Sequence, residues 1–210
     1  MLLGINGPFG GGKTQTAYEI QRRLPGSVVC DPEHAGFGLR RMLPPELRGD
    51  FQDLKTWRQG VVEVLDLALT KHDGVVIAPM TVTDSGYFAE TVGRLGELGH
   101  DVRHFTLLAR RETVMKRLRE RGFGHILQYV GGKNAGLGRE TWAVQQLDHC
   151  LERLREPEFA EHLWTDESTV PKTADRIAVL AGLTLRPNNE GALRTRLRQV
   201  RVGVKHIRFD

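Results

Sequence analysis

Cysteine is scarce: Cys30 and Cys150 are the only two among 210 residues, far apart and without a CxxC pair or a His/Cys cluster. That excludes a disulfide framework and leaves no structural zinc site, so both thiols are expected to be reduced and packed. Long apolar runs are also missing. The longest clean one, Val75 to Met80, falls far short of the ~20 residues that cross a bilayer. The amino-terminal MLLGINGPFGGGK has no basic leader and no cleavage site, and its apolar residues run straight into glycines. It reads as a strand rather than a signal peptide, which points to a cytoplasmic protein. His100 and His104 flank and enter a strand-like stretch, DVRHFTLL, and fit packing or surface roles better than a metal site.

What is present is ordinary soluble composition, with 40% hydrophobic and 27% charged residues, which argues against both disorder and a membrane bundle. The length suits one α/β domain. The net charge of +4 is concentrated at one end: from Arg186 to Asp210 there are seven Lys/Arg and two Asp/Glu, which leaves 23 and 24 for the rest.

Apolar runs at 2–6, 27–31, 74–80, 100–109 and 161–166 read as strands. Helical periods follow Lys13 and recur near 50–72, 84–98, 111–121, 139–155 and 172–181. Strands alternating with helices predict a three-layer α/β fold of the P-loop type, with a five-stranded parallel sheet and active residues at the carboxyl ends of its strands. A domain over 1–185 and a separate tail over 186–210 are expected. Between Gly122 and Gly138 six glycines interrupt any period, and a segment that long and irregular is expected to act as a lid over about 122–138.

Gly7, Pro8, Phe9, Gly10, Gly11, Gly12, Lys13 and Thr14 fit GxxxxGK[ST] between a predicted strand and a predicted helix, the context that motif requires. Glycines let successive N–H groups face an anion, and the helix that follows adds partial positive charge. Lys13 is expected to bridge the β- and γ-phosphates of ATP and Thr14 to ligate Mg²⁺. There is no GxGxxG in this turn, which disfavours a dinucleotide fold.

Asp31 and Glu33 follow the second strand, across from the phosphates. Asp31 is the expected general base, with a share in the metal site, and Glu33 is expected on the acceptor side; capping of the next segment is the alternative for Asp31. The third strand ends Ala78-Pro79-Met80-Thr81 with no carboxylate, which counts against motor and GTPase readings. Arg117 and Arg121, at i and i+4, are expected to stabilise the migrating phosphoryl group, although the surrounding helix is basic enough for a solvated face. Between the second and third strands, Arg40, Trp57 and Arg58 are candidates for holding a planar or anionic acceptor by forked bonds and stacking. A core position for Trp57 is the alternative.

With these residues in hand, the chain resembles the bacterial tunicamycin-resistance proteins, part of a wider P-loop group that includes nucleotide, shikimate and chloramphenicol phosphotransferases. The likeness runs through GPFGGGKTQTA, DPEHAGFGLRRM, VIAPMT, GRLGELGHDVRHFTLLARRETVMKRLRERG, WAVQQLDHCLERL and a basic tail ending VKHIR. It implies ATP binding, resistance to a nucleoside antibiotic and association with the membrane. Two activities fit: a kinase that phosphorylates a hydroxyl of a tunicamycin-like acceptor, or an ATP-dependent protein that sequesters the drug unmodified.

In the tail, Leu193, Leu197, Val200, Val204 and Ile207 recur at helical steps while Arg194, Arg198, Arg201, Lys205 and Arg208 take other faces. This is an amphipathic basic helix suited to an anionic membrane surface, or to docking on its own domain. No aromatic platform accompanies the charge, which disfavours nucleic acid.

Overall fold

The computed structural model describes residues 1–118, 147–159, 161–189, 191 and 202. Strand β1 (Leu2–Asn6) is buried along its whole length, as a central strand covered on both faces must be. It pairs in parallel with β3 (Val76–Pro79), Leu2 opposite Val76, and with β4 (Val102–Leu108), Leu2 opposite Val102. The edges are β2 (Val28–Val29) beside β3 and β5 (His162–Trp164) beside β4, both parallel. The order is β2-β3-β1-β4-β5. All five expected strands are present, with β2 cut to two residues because the chain turns at Asp31, whose side chain accepts the Glu33 N–H.

Alternation along the strands splits the core in two. Leu3, Ile5, Phe105 and Leu107 face α1 (Lys13–Arg23) and α7 (Val170–Leu180), meeting Ala17, Ile20, Ala174 and Ile177. Leu2, Val76 and Ala78 face Trp57, Val61 and Leu65 of α3 (Lys55–Lys71), together with Val92 and Leu95. Each fully buried large aliphatic contributes about 1.5–3 kcal/mol. Val92 and Leu95 belong to one run in which α4 (Ser85–Phe88) passes through a π-helical turn, Ala89–Gly93, into α5 (Arg94–Glu97). Thr91 donates to the Tyr87 carbonyl at 2.7 Å inside that turn, a local competitor for the helical ladder.

Helix α2 (Glu33–Met42) was not anticipated from periodicity, since Pro32 reads as a stop after the strand. In the fold Pro32 occupies the helix's N-cap with φ −65, where a proline loses no hydrogen bond. Helix α6 (Arg111–Leu118) starts where expected. Residues 119–146, which include Arg121 and the expected lid over 122–138, lie outside the described residues; helix is again seen at 147–153. Leu183 and Leu185 pack on the core face carrying α1. Arg186 and Asn188 are then tied to the end of α1: the Arg186 N–H donates to the Arg23 carbonyl, Arg23 Nε to the Arg186 carbonyl, and Arg22 to Asn188. The amphipathic pattern over 193–208 falls, apart from Val202, outside the described residues.

Candidate active site

At the carboxyl end of β1 the chain turns through Gly7 to Gly12 into α1. Gly12 is the left-handed N-cap of that helix, φ 95, with no side chain capping it. The positive end of the α1 dipole therefore faces the loop. Gly11 donates to the Pro8 carbonyl at 2.9 Å, and a Cβ on Gly11 would sit 2.8 Å from that same oxygen. The turn is thus closed to any larger residue. Lys13, 7% exposed, donates from Nζ to the Pro8 carbonyl at 3.0 Å and lies 5.6 Å from the centroid of the Phe9 ring, which is 61% exposed. Thr14 occupies the first turn of the helix, half-buried.

Asn6 escaped the sequence reading. It is fully buried, its Oδ1 accepting from the N–H groups of Gly7 at 2.8 Å and Val82 at 3.0 Å, while Nδ2 donates to the Val82 carbonyl at 2.8 Å. Rotating the amide would set donor against donor, so the network fixes its orientation. The only signal in the sequence is a polar residue closing an apolar strand directly before the glycines.

The acceptor side lies at the ends of β2 and β3. The Asp31 side chain is 3% exposed; Oδ1 accepts from the Glu33 N–H at 3.0 Å, and Oδ2 is 3.9 Å from His34 Nε2. Burial, and then the Asp31 charge, push the Tyr18 hydroxyl on α1 above the usual tyrosine range. Glu33, also buried, accepts the Thr81 N–H at 2.9 Å. Thr81 completes its backbone bonding through Gln52 Nε2, 2.9 Å from its carbonyl oxygen.

Trp57 takes the core position that was its alternative, and Arg58 is engaged within the fold. Trp57 is 2% exposed, packs against Phe51 at 5.2 Å between centroids, and donates from Nε1 to the Pro32 carbonyl at 3.0 Å. Its ring has no open face on which an acceptor stacks, so stacking gives way to a core role that holds the start of α2. Arg58 is committed to Glu90 at 2.6 Å, to the Gln52 carbonyl and to the Tyr87 ring, 4.2 Å from its centroid. Those bonds join α3 to the helix run beginning at Ser85. Arg40 lies half-buried in the last turn of α2, where its charge partly offsets the burial that raises the Asp50 carboxyl.

On the far side of the glycine loop, Arg117 donates to the Thr165 carbonyl at 2.6 Å and to its hydroxyl at 3.0 Å. Leu118 approaches Gly10, whose Cβ would meet it at 3.0 Å. Asp166 accepts from the Arg110 N–H at 2.9 Å and the Thr113 hydroxyl at 2.6 Å. Burial works to raise its carboxyl, but those bonds and the Arg110 charge outweigh it and hold the group below the usual carboxylate range. Of two residues after the undescribed stretch, Arg153 was missed and Cys150 was expected to be packed. Arg153 donates to the Thr83 carbonyl at 3.2 Å, and burial pushes the Cys150 thiol up to about 11 against the opposing field of Lys13. The helix at 147–153 packs through Leu147 and Leu151 with Val114 and Leu118, and Leu118 in turn meets Gly10 of the loop.

Among the described residues no three His, Cys, Asp or Glu gather as a metal site, and no helix is long and apolar enough to cross a membrane.

A family model described as an AAA domain matches residues 2–125. The tunicamycin resistance protein of Deinococcus radiodurans is 31% identical, covers 89% of this chain and 99% of its own, and superposes with a TM-score of 0.70. Shikimate kinase from Acinetobacter baumannii in complex with shikimate (16% identity, 86% of this chain and 93% of that one, TM-score 0.54) shares the fold. So does the APS kinase of Mycobacterium tuberculosis in complex with AMPPNP and APS (12%, 86% and 96%, 0.53). Among curated protein sequences none matches.

Proposed function

The chain belongs to the AAA domain family and to the family of the tunicamycin resistance protein, and we propose that it transfers the γ-phosphoryl group of ATP to a hydroxyl of a small molecule, a tunicamycin-like nucleoside antibiotic being the acceptor. The observation that carries this reading is the pairing of two sites on one sheet edge. The glycine loop leaves β1 and the Asp31–Glu33 pair leaves β2, with β3 between them. Two strand spacings set them about 10 Å apart, room for a phosphoryl group and an attacking hydroxyl in line.

In the proposed reaction the acceptor hydroxyl gives its proton to the Asp31 carboxylate as its oxygen bonds to the γ-phosphorus. The bond from phosphorus to the β–γ bridging oxygen breaks and ADP departs with that electron pair. Lys13, released from the Pro8 carbonyl, compensates charge on the β- and γ-oxygens, with the N–H groups of the loop and of α1 behind it. Arg117, beside the loop at Thr165, adds a second cation, and Arg121 a third from outside the described residues. Glu33 orients the acceptor, with Arg40 at the rim. The oxygen donors Thr14 and Asp31 suit Mg²⁺, which is held by one or two side chains together with phosphate oxygens; bound there, it would neutralise charge between the β- and γ-phosphates. The protein is proposed to work in the cytoplasm, with the basic tail giving peripheral contact with anionic lipid.

Incubation with radiolabelled ATP and tunicamycin tests this directly. The expected product is a phosphorylated antibiotic. Drug recovered at unchanged mass yet tightly bound in the presence of ATP would make the protein a sequestering agent instead.

A further inference from the structure

The two halves of the site are joined by a run of hydrogen bonds that passes along the backbone from Val82 to Thr81. It starts at the first residue of the phosphate loop, where the Gly7 N–H donates to Asn6 Oδ1. The Asn6 amide takes the N–H of Val82 and gives Nδ2 to the same residue's carbonyl, which fixes both backbone groups of one residue. The next residue back, Thr81, donates its N–H to Glu33 Oε1. The Glu33 N–H donates to Asp31 Oδ1. Asn6 and Glu33 are both buried, so these links are shielded from competing water and exchange among them is stiff. Thr81 Oγ1, buried in the middle of the run, has no hydrogen-bond partner among the described residues.

We infer that Asn6 is a positioning residue that couples the phosphate loop to the acceptor-side carboxylates, so that nucleotide held at Gly7 to Thr14 orders the 80–82 segment and the start of α2. Gly7 is the hinge of this coupling. A Cβ there would sit 2.8 Å from the Leu107 carbonyl, so the loop starts in close contact with β4, and Asn6 gives it a side-chain route to the residues after β3. Glu33 then carries the change to α2, whose first-turn N–H groups depend on Asp31 and Pro32. The inference rests on nucleotide binding at the loop and is independent of which acceptor is phosphorylated or whether any is.

Hydrogen–deuterium exchange with and without Mg·AMPPNP reads the coupling. In the full-length protein the nucleotide analogue is expected to slow exchange by about tenfold at residues 80–82 and at 33–36, within the usual range for coupled sites. Asn6→Ser, too short to span Gly7 and Val82, should abolish the slowing at both places while calorimetry still registers AMPPNP. Glu33→Ala cuts the last link and guards against a folding failure in the first variant. It should keep the slowing at Val82, whose N–H is held by Asn6, and lose it at 33–36. Equal slowing in the wild type and both variants, or none beyond the loop in a wild type that binds AMPPNP, would overturn the coupling. Calorimetry scores nucleotide binding separately, so the kinase reading and the coupling fail on different observations.

Discussion

The Asp31 carboxylate accepts the backbone N–H of Glu33 at 3.0 Å, so two acids two residues apart are turned to different tasks. One holds the turn into α2, its second oxygen 3.9 Å from His34 Nε2, while the other grips Thr81. An asparagine at 31 still accepts the Glu33 N–H but takes up no proton from an acceptor. Asp31→Asn is expected to lower phosphoryl transfer by about 10²–10⁴-fold and to leave ATP affinity within a few-fold. Steady-state transfer assays paired with calorimetry check this; undiminished turnover would remove Asp31 as the base.

Two neighbouring glycines separate crowding from backbone strain. A Cβ at Gly11 overlaps the Pro8 carbonyl, the oxygen that also receives Lys13, whereas at Gly12 nothing lies within 4 Å and only the φ of 95 resists. Gly11→Ala should weaken ATP binding by about tenfold or more, since a shift of Pro8 displaces the ammonium group. Gly12→Ala should cost about 1–2 kcal/mol of stability. Calorimetric titration and thermal melts of both proteins compare the two costs.

Trp57 is a test of the core. Trp57→Ala is expected to lose about 3–5 kcal/mol, and Trp57→Phe about 1 kcal/mol through the lost bond to Pro32. Denaturant unfolding measures both. An unchanged acceptor KM in Trp57→Phe is the corollary, because the ring packs inward.

Much of this was legible beforehand because it is local. The β1–loop–α1 unit is contiguous in sequence, its motif is short, and strand and helix periods flank it, so its place and direction followed. Asn6 and Thr81 were not legible, because their partners are 76 and 48 residues away and only the sheet brings them together. Trp57 sits among polar neighbours in KTWRQG, which left a stacking site and a core position both open; Phe51 and the Pro32 carbonyl, which cover it, come from other segments. Helix α2 was hidden by a proline whose meaning reverses between the end of a strand and the start of a helix.

Cys150 should resist alkylation. With its thiol pushed up to about 11, the thiolate fraction near pH 8.5 falls about 100-fold below that of an ordinary cysteine. Lys13→Ala removes the opposing field and should slow the reaction further. Iodoacetamide labelling read by peptide mass spectrometry follows Cys150 alone.

Asp166 sets an acid limb. Its carboxyl is held below the usual range, so the stability it adds is complete above the unfolded-state value and disappears as pH falls through the folded one. Asp166→Ala, which strips the acceptor from Thr113 and the Arg110 N–H, should be less stable than the wild type at pH 7 by about 1–3 kcal/mol. The gap should narrow toward pH 3. Urea melts at the two pH values measure it.

The mooring of Arg186 and Asn188 on the last turn of α1 fixes a direction for the whole molecule. Eleven helical residues span about 16 Å, with phosphates expected at the first and the chain's exit at the last. A force applied at Asn188 itself therefore acts at the pole of α1 remote from the phosphate loop.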